Sequence, residues 1–358
     1  MRIRLIGQRN TSGIGTHYAC FADALRNMHG IGSVVDEVDF LDPSAIDRAI
    51  ATSQVDDINI CFVAMPIHSH FHGRNIQWIV FESTRIPQGI RPAIQGADQV
   101  WVPSAWGRDV LLAHGVAEHR VHVVPEGVDG ARFHAHGRRP RTSARPFRFL
   151  TVGKYEQRKG IDLTIEAFAQ VYANQPQAEL VIKSNYFTNH RQKYDALHGK
   201  ISDLGLDNVT LLWGEMTEPQ LADLYRACDI FVLPTRAEGW GLPLIEAVAA
   251  GLPVITTRYS GHMEFLQHVA DSVLPVAHVM TQIDCPEYCS YYPDSTNDWG
   301  AWAEPDVDSI VTCMQQALQQ EQRLYDRAQR NSAIIRKRFS WSQSAEQALQ
   351  ALCDQGWL

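Results

Sequence analysis

No apolar run in this chain approaches the roughly 18 residues that a membrane-spanning helix needs. The start, Met1-Arg-Ile-Arg-Leu-Ile-Gly7, is too short and too alternating for a signal peptide and reads as a first strand. Positive charge is not in excess: the formal net charge is −8, which argues against a general nucleic-acid binder. Cysteine is sparse and unpatterned. The seven thiols are odd in number and scattered, and the close pair Cys285 and Cys289 has no partner pair of His or Cys, so neither a disulfide framework nor a zinc site is expected. Reduced thiols fit a cytoplasmic setting. Internal repeats are also lacking. What the chain does have is length for two cores, 358 residues with 45% hydrophobic content.

Short apolar runs alternate with helical patterns: Ile3–Ile6, Val34–Val38, Ile58–Ala64, Trp78–Phe81, Val100–Val102 and Val121–Val124, then Phe147–Val152, Leu180–Ile182, Val209–Trp213, Ile230–Leu233, Val254–Thr256 and Val273–Val276. Alternation of this kind predicts α/β architecture with doubly wound parallel sheets. The Arg-, Pro- and Gly-rich stretch from Ala135 to Pro146 reads as a linker, and after Asp306 the pattern is wholly helical. The expected arrangement is two Rossmann-like domains facing across a cleft. The first covers 1–140 with a C-terminal helix, 341–358, crossing back to it, and the second covers 146–340.

The most informative stretch is Thr235-Arg-Ala-Glu-Gly-Trp-Gly-Leu-Pro-Leu-Ile-Glu246, followed by Ala-Val-Ala-Ala-Gly-Leu-Pro-Val-Ile255. Gly239 and Gly241 leave a loop backbone uncovered. A helix starts near Leu242–Pro243 and stops at Gly251–Leu252–Pro253. Free N–H groups and the positive end of the helix dipole favour an anion there. Glu238 lies just before the turn and Glu246 about one turn into the helix, where both reach hydroxyls flanking the anion. A diphosphate between two polyols is a sugar nucleotide.

A second element, Val152-Gly-Lys-Tyr-Glu-Gln-Arg-Lys-Gly160, puts Gly153, Lys154 and Lys159 at the carboxyl end of a strand, placed to neutralise a diphosphate, with Arg158 expected to point to solvent. Near the N-terminus, Gly13-Ile-Gly15 lacks the third glycine of a dinucleotide fingerprint, so close approach of substrate to backbone is the better reading. His68, His70 and His72 form an alternating cluster without a further ligand to complete a metal set, and read as a polar loop. Glu82 and Arg85, in Phe81-Glu-Ser-Thr-Arg-Ile-Pro87, stand after a strand on the acceptor side, either binding an acceptor or forming a structural pair. Asp306-Val-Asp308 reads as a helix cap in preference to a metal motif.

These motifs together resemble glycosyltransferase family 4, whose members are retaining, metal-independent and of the GT-B fold. The paired-glutamate stretch matches with Trp240 where phenylalanine is usual, and Gly153–Gly160 matches with Lys154 in place of an arginine. Val102-Pro-Ser104, Val124-Pro-Glu-Gly-Val-Asp129, Gly261-His-Met-Glu264, Trp302-Ala-Glu-Pro-Asp306 and Phe339-Ser-Trp341 also fit. The resemblance implies transfer of a sugar from a nucleoside-diphosphate sugar to a hydroxyl of a saccharide or lipid-linked saccharide, with no cofactor and no metal. It implies that Lys154 and Lys159 hold the donor diphosphate together with backbone around Gly241 and Leu242. Glu238 would contact the donor sugar, Glu246 the ribose, and Gly13 and Gly15 would border the pocket. One histidine, or Glu82, would touch the sugar from the first domain. The Phe-Glu-Ser-Thr-Arg-Ile-Pro stretch resembles a subset linked to mannose transfer into bacterial surface polysaccharide, which makes GDP-mannose the favoured donor. Arg138, Arg139 and Arg141 hint at contact with the inner membrane face. The competing reading is a sugar-nucleotide epimerase of the same fold. A nicotinamide-dependent oxidoreductase would need a fuller glycine fingerprint. Oligomeric state is not legible.

Overall fold

A computed structural model of the chain describes residues 1–64, 66, 70–138, 140–186 and 190–358. They divide into two compact units: 1–127, 282–301 and 339–358 form the first, and 128–281 with 302–338 form the second. Against the expected boundaries, 128–140 joins the second unit and 282–301 joins the first.

The first unit holds a six-stranded parallel sheet in the order β2-β1-β3-β4-β5-β6. Its strands are β1 (Ile3–Gly7), β2 (Val35–Asp39), β3 (Ile58–Cys61), β4 (Arg74–Trp78), β5 (Gln99–Val102) and β6 (Val121–Val123). The fourth strand lies earlier than the apolar run Trp78–Phe81 suggested. Asn75 and Gln77 are buried in it because their side chains are satisfied, Gln77 Nε2 donating to the carbonyls of Cys61 and Val63 and Asn75 Oδ1 accepting from Asn59. Ile79 and Phe81 go instead into the hydrophobic core beyond the strand. Helix Gly13–Arg26 lays Tyr18, Phe21, Ala22 and Leu25 on the sheet. Helix Trp341–Asp354 belongs to the same unit, and its start lies so close to Gly127 that a Cβ there would stand 2.4 Å from Trp341 N. Segment 282–301 is fastened to the same unit near Phe81–Gln88: Ser83 Oγ donates to the Trp299 carbonyl, Ser295 N donates to Gln88 Oε1 (2.9 Å) and Ala301 N to Thr84 Oγ1 (2.8 Å).

The second unit holds another six-stranded parallel sheet, in the order β12-β11-β10-β7-β8-β9. The strands are β7 (Phe147–Lys154), β8 (Ala178–Asn185), β9 (Val209–Trp213), β10 (Ile230–Leu233), β11 (Val254–Thr257) and β12 (Val273–Val276). Phe147, Phe149, Leu180, Ile182, Ile230 and Val232 pack one sheet face against Ile165, Phe168, Leu197 and Met314. A two-stranded ribbon that apolar runs did not reveal joins His278–Gln282 to Ala301–Pro305. Asp306 caps helix Val307–Gln319 by accepting from the N–H groups of Asp308 and Ser309.

The stretch read as a linker is anchored. Arg138 is buried and donates to the carbonyls of Gly251, Cys228 and Asp229 at 2.8, 3.0 and 3.0 Å. Arg141 pairs with Glu321 and Arg145 with Asp229. These arginines hold Arg138 and residues 140–145 onto the second unit, which removes Arg138 and Arg141 as a basic surface for a membrane; Arg139 lies outside the described residues. Among the described residues no helix is long and apolar enough to cross a membrane.

Candidate functional site

In an open parallel sheet, loops diverge where the strand order reverses, and ligands bind at that point outside the carboxyl ends. In the second unit the reversal falls between β7 and β10, which are neighbours in the sheet. The loop after β7 carries Lys159 and the loop after β10 carries Glu238, so the topology brings together two elements far apart in sequence.

Lys159 Nζ donates to both oxygens of Glu238, at 2.7 and 2.9 Å, and both residues are buried. Thr235 Oγ1 lies 3.0 Å from the same carboxylate. Arg158 does not point to solvent as expected. Its guanidinium donates to the Ala237 carbonyl at 2.7 Å and stands 3.1 Å from Glu238 Oε2. Burial alone would raise the Glu238 pKa, but Lys159 and Arg158 outweigh it and hold the carboxyl at about 2.

The backbone around this pair is tightly determined. Gly160 starts helix Ile161–Tyr172 with φ +68°, and a Cβ there would lie 2.3 Å from the Pro234 carbonyl oxygen. Glu238 N donates to Ser260 Oγ at 2.9 Å and Gly261 N to the Glu238 carbonyl at 2.8 Å. Gly241, at φ +99°, precedes helix Leu242–Ala249, and no side chain caps that helix start. Arg236 is buried, pairs with Glu304 and donates to the Gln157 carbonyl, tying the two loops together.

Glu246 lies in helix Leu242–Ala249 and accepts from the Tyr225 hydroxyl at 3.0 Å. Among the described residues its one hydrogen-bond donor is neutral and no cation offsets its burial, which pushes the carboxyl up to about 8. The surroundings of the two glutamates thus act in opposite directions: Lys159 and Arg158 pull the Glu238 carboxyl down, and enclosure of the half-buried Glu246 pushes its carboxyl up. Gly153 packs its bare Cα on the stem of Lys159, where a Cβ would be 3.7 Å from Cγ and Cδ. Lys154 ends β7, half-buried. Trp240 is buried and its ring meets Phe265 edge-on at 5.1 Å, so it supports the loop from below. Gly239 is pinned under Gly261, where a Cβ would stand 1.9 Å from the Gly239 carbonyl oxygen.

The first unit has its own reversal, between β1 and β3. The Gly13–Gly15 loop and the histidine loop both leave the sheet there. Ser12 caps helix Gly13–Arg26 through Gly15 N. Gly15 is required by the loop itself, since a Cβ would sit 2.1 Å from Asn10 Oδ1, whereas a Cβ on Gly13 meets nothing within 4 Å. His70 and His72 are exposed, and His68 lies outside the described residues. Arg85 is tied to Asp298, so it holds segment 282–301 and is not a free acceptor contact, while Glu82 beside it is half-buried.

Four contributors escaped the sequence reading. Arg236 and Ser260 sit next to motif residues and could have been suspected by proximity, while Tyr225 carried no signal. The fourth, His17, is buried one turn after Gly13 with Nδ1 3.6 Å from Glu126 and its ring against Trp78. Burial pushes its imidazole down to about 3, so it is neutral.

Two reversed parallel sheets, each with an open loop cluster at its carboxyl edge, define the GT-B fold. The HepE structure from Anabaena in complex with UDP and glucose superimposes with a TM-score of 0.73 at 14% identity, covering 99% of this chain and 100% of that one. Residues 137–276, which carry the whole Lys159–Glu238 site, match the family model for glycosyl transferases group 1. Mannosylfructose-phosphate synthase of Agrobacterium fabrum is 31% identical over 163 residues, 43% of this chain and 36% of that protein. D-inositol 3-phosphate glycosyltransferase of Pseudarthrobacter chlorophenolicus is 25% identical over 228 residues, 59% of this chain and 53% of that protein. The chain thus spans about half or less of the length of these curated relatives. Both are named as a synthase or a glycosyltransferase, and neither name supports the epimerase reading.

Proposed function

We propose that this protein transfers a sugar from a nucleoside-diphosphate sugar to a hydroxyl of a saccharide or lipid-linked saccharide, with retention at the anomeric carbon and without a metal. The observation that carries this reading is the charged loop pair at the reversal of the second sheet. Lys159 and Arg158 converge on Glu238 beside an uncapped helix start. Arg158 is shared between Glu238 and Glu156, so what the cluster offers a developing diphosphate leaving group is the Lys159 ammonium next to the backbone N–H groups of the helix start.

Within this reading Lys159 keeps one N–H beyond the two it gives Glu238 and, with Lys154 and the backbone at Gly241 and Leu242, takes the leaving phosphate. Glu238, ionised, accepts hydrogen bonds from donor-sugar hydroxyls. Glu246 meets the ribose hydroxyls. No carboxylate is needed as a nucleophile: the acceptor attacks from the face the diphosphate leaves, and the departing phosphate takes its proton. The favoured donor is GDP-mannose, in line with the mannosyl relative, and the setting is surface polysaccharide synthesis at the cytoplasmic side of a membrane.

Thermal shift against a panel of sugar nucleotides tests the reading. A true donor stabilises by about 2.7 kcal/mol at a hundredfold excess over its dissociation constant. Transfer to an added saccharide should then survive EDTA. A chain stabilised by none of the nucleotides, or active only with added divalent metal, overturns it.

A further inference from the structure

Lys183 is a buried cation that the reading above does not use. It lies near the carboxyl end of β8, is 7% exposed, and has no hydrogen-bond partner among the described residues. Burial holds its amine below the usual lysine range, with Glu215 the charge that opposes this. Glu215 itself is exposed, in the loop after β9, and is steadied by Asn185 Nδ2 at 3.1 Å.

Strand register shows what Lys183 faces. It pairs with Val152, and Asn185 with Lys154, so Lys183, Asn185 and Lys154 share one face of the sheet. Leu150 lies on that face too and pairs with Phe231 of β10. Tyr225, the residue that holds Glu246, packs on Phe231 with ring centroids 5.8 Å apart. Lys183 and the Tyr225–Glu246 pair are therefore on the same face of the sheet, and the strands that carry Lys183 and Phe231, β8 and β10, are two strand spacings apart, about 10 Å.

We propose, resting on the donor reading above, that Lys183 and Glu215 read the donor's base as guanine. Lys183 donates to the ring carbonyl oxygen, and Glu215 accepts from the adjacent ring N–H and exocyclic amino group. Guanine presents an acceptor beside two donors on one edge, which a cation beside a carboxylate complements. Uracil presents one N–H between two acceptors and leaves a carboxylate oxygen facing a carbonyl. A site built to pair polar groups rejects a ligand that leaves them unpaired.

The test is calorimetric titration of the full chain with GDP and with UDP, in wild type, Lys183→Met and Glu215→Gln. The wild type should prefer GDP. Each variant should lose about 10-fold in GDP affinity while UDP affinity moves less than about threefold. Because Glu215 is exposed, its variant keeps the test alive if Lys183→Met does not fold. Equal losses for both nucleotides would assign Lys183 to the diphosphate and overturn the proposal, as would a wild type that prefers UDP. A wild type that binds neither nucleotide removes the donor reading as well, which separates that failure from this one.

Discussion

Lys159 Nζ lies 2.7 and 2.9 Å from the two oxygens of Glu238, both residues are buried, and Arg158 stands 3.1 Å from the same carboxylate. Arg158 also donates to Glu156 at 2.6 Å, so two cations are balanced by two carboxylates across the paired loops. Such a cluster holds the loops after β7 and β10 together and fixes the Lys159 ammonium between them.

Replacing the lysine separates these two tasks. In Lys159→Ala, Arg158 still faces Glu238, so the carboxylate keeps one partner and the second unit should stay folded. Turnover should fall roughly 10²–10³-fold, the loss typical of one electrostatic stabiliser. Steady-state kinetics beside a melting curve decide it. Near wild-type turnover in a folded variant takes the lysine out of the mechanism.

The two glutamates should also give opposite pH signatures in stability. Glu238 has its carboxyl at about 2 against 4.5 without its surroundings, so it stabilises the fold above pH 4.5 and that contribution disappears as pH falls toward 2. Glu246 sits at about 8, so the folded state holds a proton that the unfolded chain releases. Its contribution is full below pH 4.5 and is lost as pH rises through 8. Glu246→Gln should accordingly melt close to wild type at pH 5 and higher than wild type at pH 9, while donor affinity falls. Glu238→Gln should lose the acid-side slope instead. Parallel melting curves for Glu246→Gln and wild type across that range would show that Glu246 is an ordinary surface carboxylate.

Much of this site was legible because local signals coincided with sheet topology. The glycines, prolines and charges around Glu238 and Lys159 mark strand ends and helix starts, and in a parallel sheet every strand end lies on one edge. What stayed hidden is pairing at long range. Arg158 looks like any loop arginine until β10 is placed beside β7, and Arg85 looks like an acceptor contact until 282–301 returns to the first unit. The strand Arg74–Trp78 escaped because its polar side chains are satisfied by neighbours that sequence does not show.

The two glycines of the first-unit loop answer different questions. Gly15→Ala must displace Asn10, whose side-chain oxygen lies 2.1 Å from the new Cβ, and should destabilise by about 1–3 kcal/mol. Gly13→Ala meets no atom within 4 Å, and alanine in the first turn of a helix should leave stability equal or slightly raised. If substrate approaches the backbone there, Gly13→Ala loses activity with its melting temperature intact. Unchanged kinetics would mean that Gly13 borders no ligand.

Arg138 distinguishes a membrane-facing basic stretch from a structural clamp. Its guanidinium is buried and donates to three backbone carbonyls, those of Gly251, Cys228 and Asp229, which end the helix Leu242–Ala249 region and lead into β10. Alanine there leaves those carbonyls without a donor, and each buried unsatisfied group costs about 1–3 kcal/mol. Arg138→Ala should therefore lower the melting temperature by several degrees, and Arg138→Lys should recover only part of it because one ammonium cannot reproduce the planar fork. Sedimentation with anionic vesicles should be the same for wild type and Arg138→Ala. A variant that melts like wild type but no longer co-sediments would return this arginine to the membrane surface.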